Sequence, residues 1–376
     1  MPAKGATLIV VIGAGAIGLG IAWRASQRGL PVTLVDPAPG GGASHVAAGM
    51  LTPVGELQYG EEEQLRLGLD SRDRYPAFAA ELADLTGVDI GLRREGNLSV
   101  AYDADDLAFL QDQHRFQESL GLRTEPLTGR ECRRLEPMLA PSVRGGILAP
   151  DDGSVDPRRL LKALLAACAN IPLVRERARE LVVEDGRVRG VRLENGDVLA
   201  AERVVVAAGS WSRELTGLPI RPVKGQILRL RGPRPFLTRA TRGLVRGFSM
   251  YLVPRPDGEL VVGATQEELG FDARVTASGL WELLRDARTL FPGITELEFA
   301  EVTASFRPGS PDNAPILGPV GPEGLLAATG HFRNGILLTP LTADAMADLL
   351  DGREPPEAVR PFGAGRLTPT PLGDSR

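Results

Sequence analysis

Cysteine and histidine are scarce in this chain, and basic runs are missing. Cys132 and Cys168 are the only cysteines and have neither CxxC nor ligand-like spacing. They support no disulfide framework, and a reducing, cytoplasmic setting is expected. His45, His114 and His331 are the only histidines and lie far apart, so no metal site is expected. A formal net charge of -5, without basic stretches interleaved with aromatics, argues against a nucleic-acid surface. Long apolar runs are lacking too. Lys4 followed by Leu8 to Trp23 resembles a signal peptide, but no small-residue cleavage site closes it. It is also shorter than the roughly 20 residues that span a bilayer, so no membrane partner is expected.

Glycine, by contrast, is placed with purpose. Thr7 to Ile12 is a β-branched apolar run, Gly13-Ala14-Gly15-Ala16-Ile17-Gly18 follows, and a helical pattern runs to Arg28 before Gly29 stops it. Val32 to Val35 then reads as a second strand ending at Asp36. Strand, GxGxxG turn, helix, strand and terminal acid in this order form a dinucleotide-binding signature. Gly13 permits the tight turn, Gly15 lets the backbone approach a pyrophosphate, and Gly18 brings helix and strand together. The helix N-terminus offers N–H groups and partial positive charge to phosphates. Asp36 falls where an acid meets a ribose hydroxyl, about 20 residues on, and would repel a 2′-phosphate.

At 376 residues the chain exceeds one usual core, so two domains are expected. Helical patterns cover 61–85, 104–120, 158–169 (with Asp156 as N-cap), 280–290 and 343–350. Strands are expected at 97–101, 226–230, 251–254 and 260–263, and Asn195-Gly196 turns a hairpin between 187–193 and 198–201. Val204 to Ala207 is an apolar strand closing on Gly209, and Trp211 is expected to pack in the core. Two later segments read as ligand-binding turns: Arg307 to Asp312, and Gly330 to Ile336 after the strand 325–328. The pattern is α/β at both ends with a strand-rich middle. It points to a discontinuous nucleotide domain with a β-sheet domain inserted through it.

Over nearly its whole length the sequence resembles the flavin-dependent D-amino acid oxidase superfamily, in particular its glycine oxidases of thiamine biosynthesis. The motifs are GAGAIG (13–18), ASHVAAGML (43–51), DDGSVDP (151–157), VVVAAGSW (204–211), PVKGQ (222–226), YLVPR (251–255), VVGAT (261–265), RPGSPD (307–312) and GHFRNGILLTP (330–340). The resemblance implies a discontinuous Rossmann-like (GR2-type) FAD-binding domain of residues 1–90, 145–220 and 310–352. An antiparallel-sheet substrate domain would hold 91–144 and 221–309, and 353–376 would form a loosely ordered tail. It implies non-covalent FAD, with Ala16 and Ile17 at the pyrophosphate and Asp36 and Pro37 at the adenosine ribose. Ala43, Ser44, Ala48, Gly49 and Met50 would contact FAD, with Gly209 nearby, and a backbone group near Glu180 would meet the adenine. Gly330, His331, Phe332, Arg333, Asn334, Gly335, Ile336 and Leu337 would wrap the isoalloxazine and present main-chain donors to its pyrimidine end.

For the substrate, the resemblance places the planar guanidinium of Arg307 opposite an amino-acid carboxylate, where it can form two parallel bonds. Tyr251 would donate its hydroxyl to the same carboxylate, with Arg333 close by. The implied reaction is hydride transfer from the substrate Cα to flavin, with O2 reduced to hydrogen peroxide and an imine released to hydrolysis or to thiazole-forming enzymes. Relatives often form tetramers. Thr303, Ala304, Ser305 and Phe306 stand where a tryptophan and a glycine often precede the arginine, and Ser249 stands where some relatives have a histidine. Preference among glycine, sarcosine and small D-amino acids therefore stays open, as do a broader D-amino acid or sarcosine oxidase, a dehydrogenase, and a non-catalytic flavin-binding module.

Overall fold

A computed structural model of the chain describes residues 8–232 and 236–367. The expected glycine signature folds as a βαβ start: β1 (Ile9–Ile12), α1 (Ala16–Gln27) and β2 (Val32–Val35). All four side chains of β1 are buried, as befits a central strand covered on both faces.

Backbone packing divides the chain into two units, each drawn from separate stretches: Met1–His45, Leu164–Val223 and Arg307–Arg376 in one, Val46–Ala163 and Lys224–Phe306 in the other. In the first, the described strands form a sheet in the order Ile316–Pro319, Leu325–Thr329, Arg203–Val206, β1, β2, Leu173–Val174. Every neighbouring pair is parallel except the outermost, Ile316–Pro319 against Leu325–Thr329. The chain leaves β1 through α1 toward β2, while Arg203–Val206 lies on the other side of β1. The glycine turn therefore opens at a topological switch point, where α/β sheets bind ligands. Helix Thr339–Leu350 braces α1: a Cβ on Gly20 would stand 3.2 Å from that of Ala343, and Arg24 Nε meets Asp344 Oδ1 at 2.9 Å. A separate hairpin sheet, Val198–Ala200, Arg187–Leu193 and Ala178–Glu184, carries the expected Asn195-Gly196 turn.

The second unit is built on a larger sheet in the order Glu298–Gly309, Arg221–Arg231, Glu259–Gly263, Phe248–Pro254, Ala240–Val245, Asn97–Ala101, Gly145–Ala149, Glu125–Thr128. Its core is aliphatic, with Leu98, Val100, Leu228, Leu252 and Val262 against Leu283, Leu290 and Phe291 of the helix Ala277–Leu290 and its end.

Four expectations require correction. Residues 46–90 and 145–163 belong with the second unit, because Met50–Leu51 pairs with Gly153–Ser154 and Gly145–Ala149 pairs with Asn97–Ala101. Residues 307–309 end a long strand, Glu298–Gly309, rather than opening a turn. Trp211 is 37% exposed rather than core. The tail is not loose from residue 353: Val359 and Phe362 are buried and Arg366 pairs with Asp312 at 2.8 Å, while 368–376 lie outside the described residues.

Candidate functional site

The turn after β1 is shaped by contacts only glycine tolerates. Gly13 has φ +104, and a Cβ there would stand 2.4 Å from the Ala207 carbonyl oxygen. At Gly18 it would stand 1.8 Å from the Gly13 oxygen, so this glycine exists to let α1 lie on the turn. Gly15 differs. Its backbone is extended and unstrained (φ -79), and a Cβ would meet only Ser44 Oγ, at 3.3 Å. Nothing in the protein demands a glycine there, which is what a cradle for a close-lying ligand looks like. No acidic residue occupies the first turn of α1. Its N-terminal end thus presents the positive end of the helix dipole with no carboxylate from its own first turn against it.

Asp36 and Ser44 hold this turn. Ala14 N–H donates to Asp36 Oδ2 at 2.6 Å, Ala38 N–H to Asp36 Oδ1 at 2.7 Å, and Ala16 N–H to Ser44 Oγ at 3.1 Å. Each carboxylate oxygen keeps a further lone pair for a hydroxyl donor. Pro37 is exposed beside it, and Ala43 and Ser44 lie in the short helix Gly42–Val46. Glu180 is not brought to this turn. It sits on the hairpin strand Ala178–Glu184, exposed and paired with Arg192 at 2.6 Å, whereas the segment that adjoins Asp36 is Val174, whose carbonyl accepts the Asp36 N–H at 3.0 Å.

The strands next to β1 bring further residues to the same sheet edge. Gly209 follows Arg203–Val206 with φ +54, and Thr329 Oγ1, ending its own strand, donates to the Gly209 carbonyl at 3.1 Å. Gly330 (φ +74) and Phe332 (φ +47) then turn the chain through residues 330–337. The His331 ring is buried, with Nε2 3.1 Å from Thr342 Oγ1, and burial lowers its pKa to about 3. The ring is therefore neutral, and what this loop offers a ligand is backbone rather than imidazolium charge. Arg333 lies over the Phe332 ring at 5.8 Å. Gly309 forms an antiparallel bridge with His331, so the strand carrying the half-buried Arg307 ends against this loop.

In the second unit, Ala48, Met50 and Tyr251 share one small cluster with Ile227, Val253 and Val261. Tyr251 is opposite Gly263, and a Cβ on Gly263 would stand 2.4 Å from the ring Cζ and the hydroxyl oxygen. The glycine gives the phenol room to lie flat on the neighbouring strand. Ser249 is exposed and accepts from Arg242 Nη2 at 3.3 Å.

The sequence reading passed over several residues that shape these surroundings. Asp152 is fully buried and accepts the Gly55 N–H at 2.7 Å and the Val54 N–H at 3.4 Å, fixing the turn after Met50–Leu51. Desolvation pushes its carboxyl up to about 7, against the pull of those donors. Lys224 is buried and pairs with Glu267 at 2.8 Å, and Gln226 reaches Glu267 at 2.7 Å and Thr276 at 3.0 Å. Arg255, 6% exposed, donates to the carbonyls of Val155 and Ala48. The motifs DDGSVDP, PVKGQ and YLVPR mark these positions, but their partners lie 41 to 207 residues away.

This sheet edge fits a dinucleotide, and the comparison with known proteins says which. A family model described as FAD dependent oxidoreductase (DAO) matches residues 9–349. The chain belongs to the FAD dependent oxidoreductase family. FAD is accordingly its cofactor, and the unstrained glycine at position 15 and a first turn of α1 without acidic residues suit its pyrophosphate. Among the relatives of this oxidoreductase is the glycine oxidase of Geobacillus kaustophilus, 34% identical over 368 residues that cover 95% of this chain and 96% of the relative. The crystal structure of glycine oxidase from that organism superposes with a TM-score of 0.90 at 33% identity, covering 96% of this chain and all of that one (100%). The bifunctional protein ThiO/ThiG of Trichormus variabilis is 36% identical over 345 residues, 91% of this chain. The chain spans about half the length of that relative, 52%. Among the described residues no helix is long and apolar enough to cross a membrane.

Proposed function

We propose that this oxidoreductase deaminates glycine, and related small amines such as sarcosine or small D-amino acids, at the expense of O2. The products are hydrogen peroxide and an imine that hydrolyses to the 2-oxo acid and ammonia, or to the 2-oxo acid and methylamine when sarcosine is the substrate. The observation that carries the reading is the bridge from Gly309 to His331, which ends the Arg307 strand on the loop 330–337. Near end-to-end similarity to proteins named glycine oxidase supports the substrate.

In this reading the glycine turn, Asp36, Ser44, residues 48–50, Gly209 and the backbone of 330–337 hold FAD. When bound, FAD supplies the two-electron acceptor that the side chains of this chain lack. Arg307 anchors the substrate carboxylate through its planar fork, which fixes where the Cα–H points. The Tyr251 hydroxyl donates to the same carboxylate, and Arg333 adds positive potential on the loop. No side-chain base is required if the amine is neutral when it reacts, which agrees with a loop whose one histidine is buried and uncharged. Main-chain N–H donors of 330–337 favour negative charge accumulating beside them, as preorganised dipoles do.

The imine is the form in which glycine enters thiazole formation, so we assign the chain to thiamine biosynthesis, in the cytoplasm and as a homotetramer. Anaerobic glycine should bleach the yellow holoprotein, and aerobic glycine should consume O2 with peroxide release. A holoprotein that stays yellow under anaerobic glycine, sarcosine and D-alanine overturns the reading; light scattering checks the assembly.

A further inference from the structure

Among the described residues Arg255 is a buried arginine that makes no direct ion pair, although Asp156, Glu259 and Asp257 lie close enough to act on its charge. Among the described residues its guanidinium donates only to main-chain carbonyls: Nη1 to Val155 O at 2.9 Å and Nη2 to Ala48 O. Arg229, more deeply buried still, shows the usual solution, with Nη1 on Glu259 Oε1 at 2.5 Å. A buried cation without a direct counterion is costly, and its retention calls for a reason. Burial lowers the Arg255 pKa to about 10, with Asp156 opposing the shift, so the group remains charged at neutral pH.

Its two acceptors lie on segments about a hundred residues apart in sequence, already tied by Val155 N–H to Gly49 O at 2.8 Å. Gly49 has φ +82, and a Cβ there would stand 2.2 Å from the Val155 oxygen. Residues 48–50 are therefore pressed against 155–157 in a shape that needs both the glycine and the fork. Arg255 follows Tyr251 by four residues at the end of Phe248–Pro254, so one strand carries both the phenol and the clamp.

We propose that Arg255 is a positioning residue for the cofactor: it holds residues 48–50 in the conformation that meets FAD and places a fixed positive charge behind them. The inference rests on the reading that residues 48–50 contact FAD. A lysine keeps the charge but reaches one carbonyl at a time, whereas methionine keeps neither. The two functions therefore separate by substitution.

The test uses Arg255→Met and Arg255→Lys, with Arg239→Met as a control that removes a half-buried arginine of the same unit from its ion pair with the buried Glu136. FAD Kd is measured by flavin fluorescence on apoprotein, and the midpoint potential of the holoprotein by equilibration with a reference dye. Arg255→Met should weaken FAD about ten- to a hundredfold, the loss of charge-assisted bonds, and move the potential negative. Arg255→Lys should keep the potential close to wild type while losing part of the affinity. Wild-type affinity in either folded variant overturns the clamp, and a wild-type potential in Arg255→Met overturns the charge. Equal shifts in Arg239→Met reduce the effect to general destabilisation and also overturn the proposal. If Arg255→Met does not fold, the affinity of Arg255→Lys decides. Neither readout uses an amine substrate, so a holoprotein that glycine fails to bleach refutes the glycine reading and leaves this test standing.

Discussion

Replacing Gly15 separates what the fold needs from what FAD needs. Its backbone lies in ordinary extended space, and the only atom within reach of a new Cβ is Ser44 Oγ at 3.3 Å, which must give by a few tenths of an ångström. Gly15→Ala should therefore fold with wild-type helicity, its melting temperature unchanged or slightly raised, since Gly→Ala at a compatible position gains about 0.4–1 kcal/mol through the unfolded chain. The pyrophosphate loses its close approach to the turn. Each charge-assisted hydrogen bond forfeited costs about 1.5–3 kcal/mol, so one lost bond raises the FAD Kd by about tenfold or more and two by about a hundredfold or more. Gly15→Val should strip the protein of yellow colour altogether. Gly18→Ala supplies the contrast: its Cβ would stand 1.8 Å from the Gly13 oxygen, so loss of fold precedes loss of cofactor. Circular dichroism and thermal melts read the fold, and fluorescence titration of apoprotein reads FAD. A Gly15→Val protein that purifies with a full complement of flavin refutes the reasoning, as does a Gly15→Ala protein that melts far below wild type.

Arg307→Ala should retain FAD but raise the KM for glycine by about a hundredfold or more, the loss of a two-bond carboxylate contact; an unchanged KM in steady-state oxygen uptake removes the anchor role. Arg307→Lys should recover only part of that loss, because a point charge cannot reproduce the fork. Gly263→Ala should push the Tyr251 ring off its neighbour and raise KM by up to about tenfold with little change in melting temperature; a wild-type KM there, alongside a raised KM in Tyr251→Phe, would show that the phenol does not depend on this glycine. Burial lowers the His331 pKa from 6.5 to about 3, so the unfolded chain binds the extra proton first as the solution is acidified. The contribution of His331 is thus intact above pH 6.5 and erodes as pH falls from there toward 3, by up to about 1.4 kcal/mol per unit. Chemical denaturation from pH 4 to 8 should show a flatter acid limb in His331→Asn than in wild type; parallel limbs would contradict a neutral buried ring.

The nucleotide-binding half was legible because its signals are local. β-Branched runs, GxGxxG, Asp36 and the Asp156 cap each act within a few residues or one βαβ unit, and the structure forms β1, α1, β2 and the Asp156 cap where those signals stand. Signals that depend on distant partners were not legible. The strand Glu298–Gly309 has charged and polar residues along its first half, and what makes it a strand is a place at the sheet edge beside Arg221–Arg231. Arg158, which forks onto Glu301 with two bonds of 2.9 Å, steadies it from 143 residues away. The misassigned residues 46–90 and 145–163 carry no composition shift at their borders. Their affiliation follows from strand pairs such as Met50 with Ser154. Trp211 looked like core from its size, but it follows a strand end in a short 3-10 turn that leaves it partly in solvent.

Read alone, the chain declares a phosphate-cradling turn, since residue type and spacing within a βαβ unit suffice for it, whereas the carboxylate role of Arg307 is implied only by the family resemblance. Tertiary structure alone decides which glycine is spared for a ligand, that the one histidine of the loop is neutral, and that Arg255 grips two backbones. Those properties depend on burial and on atoms brought together from distant positions, and neither is written in any local stretch of residues.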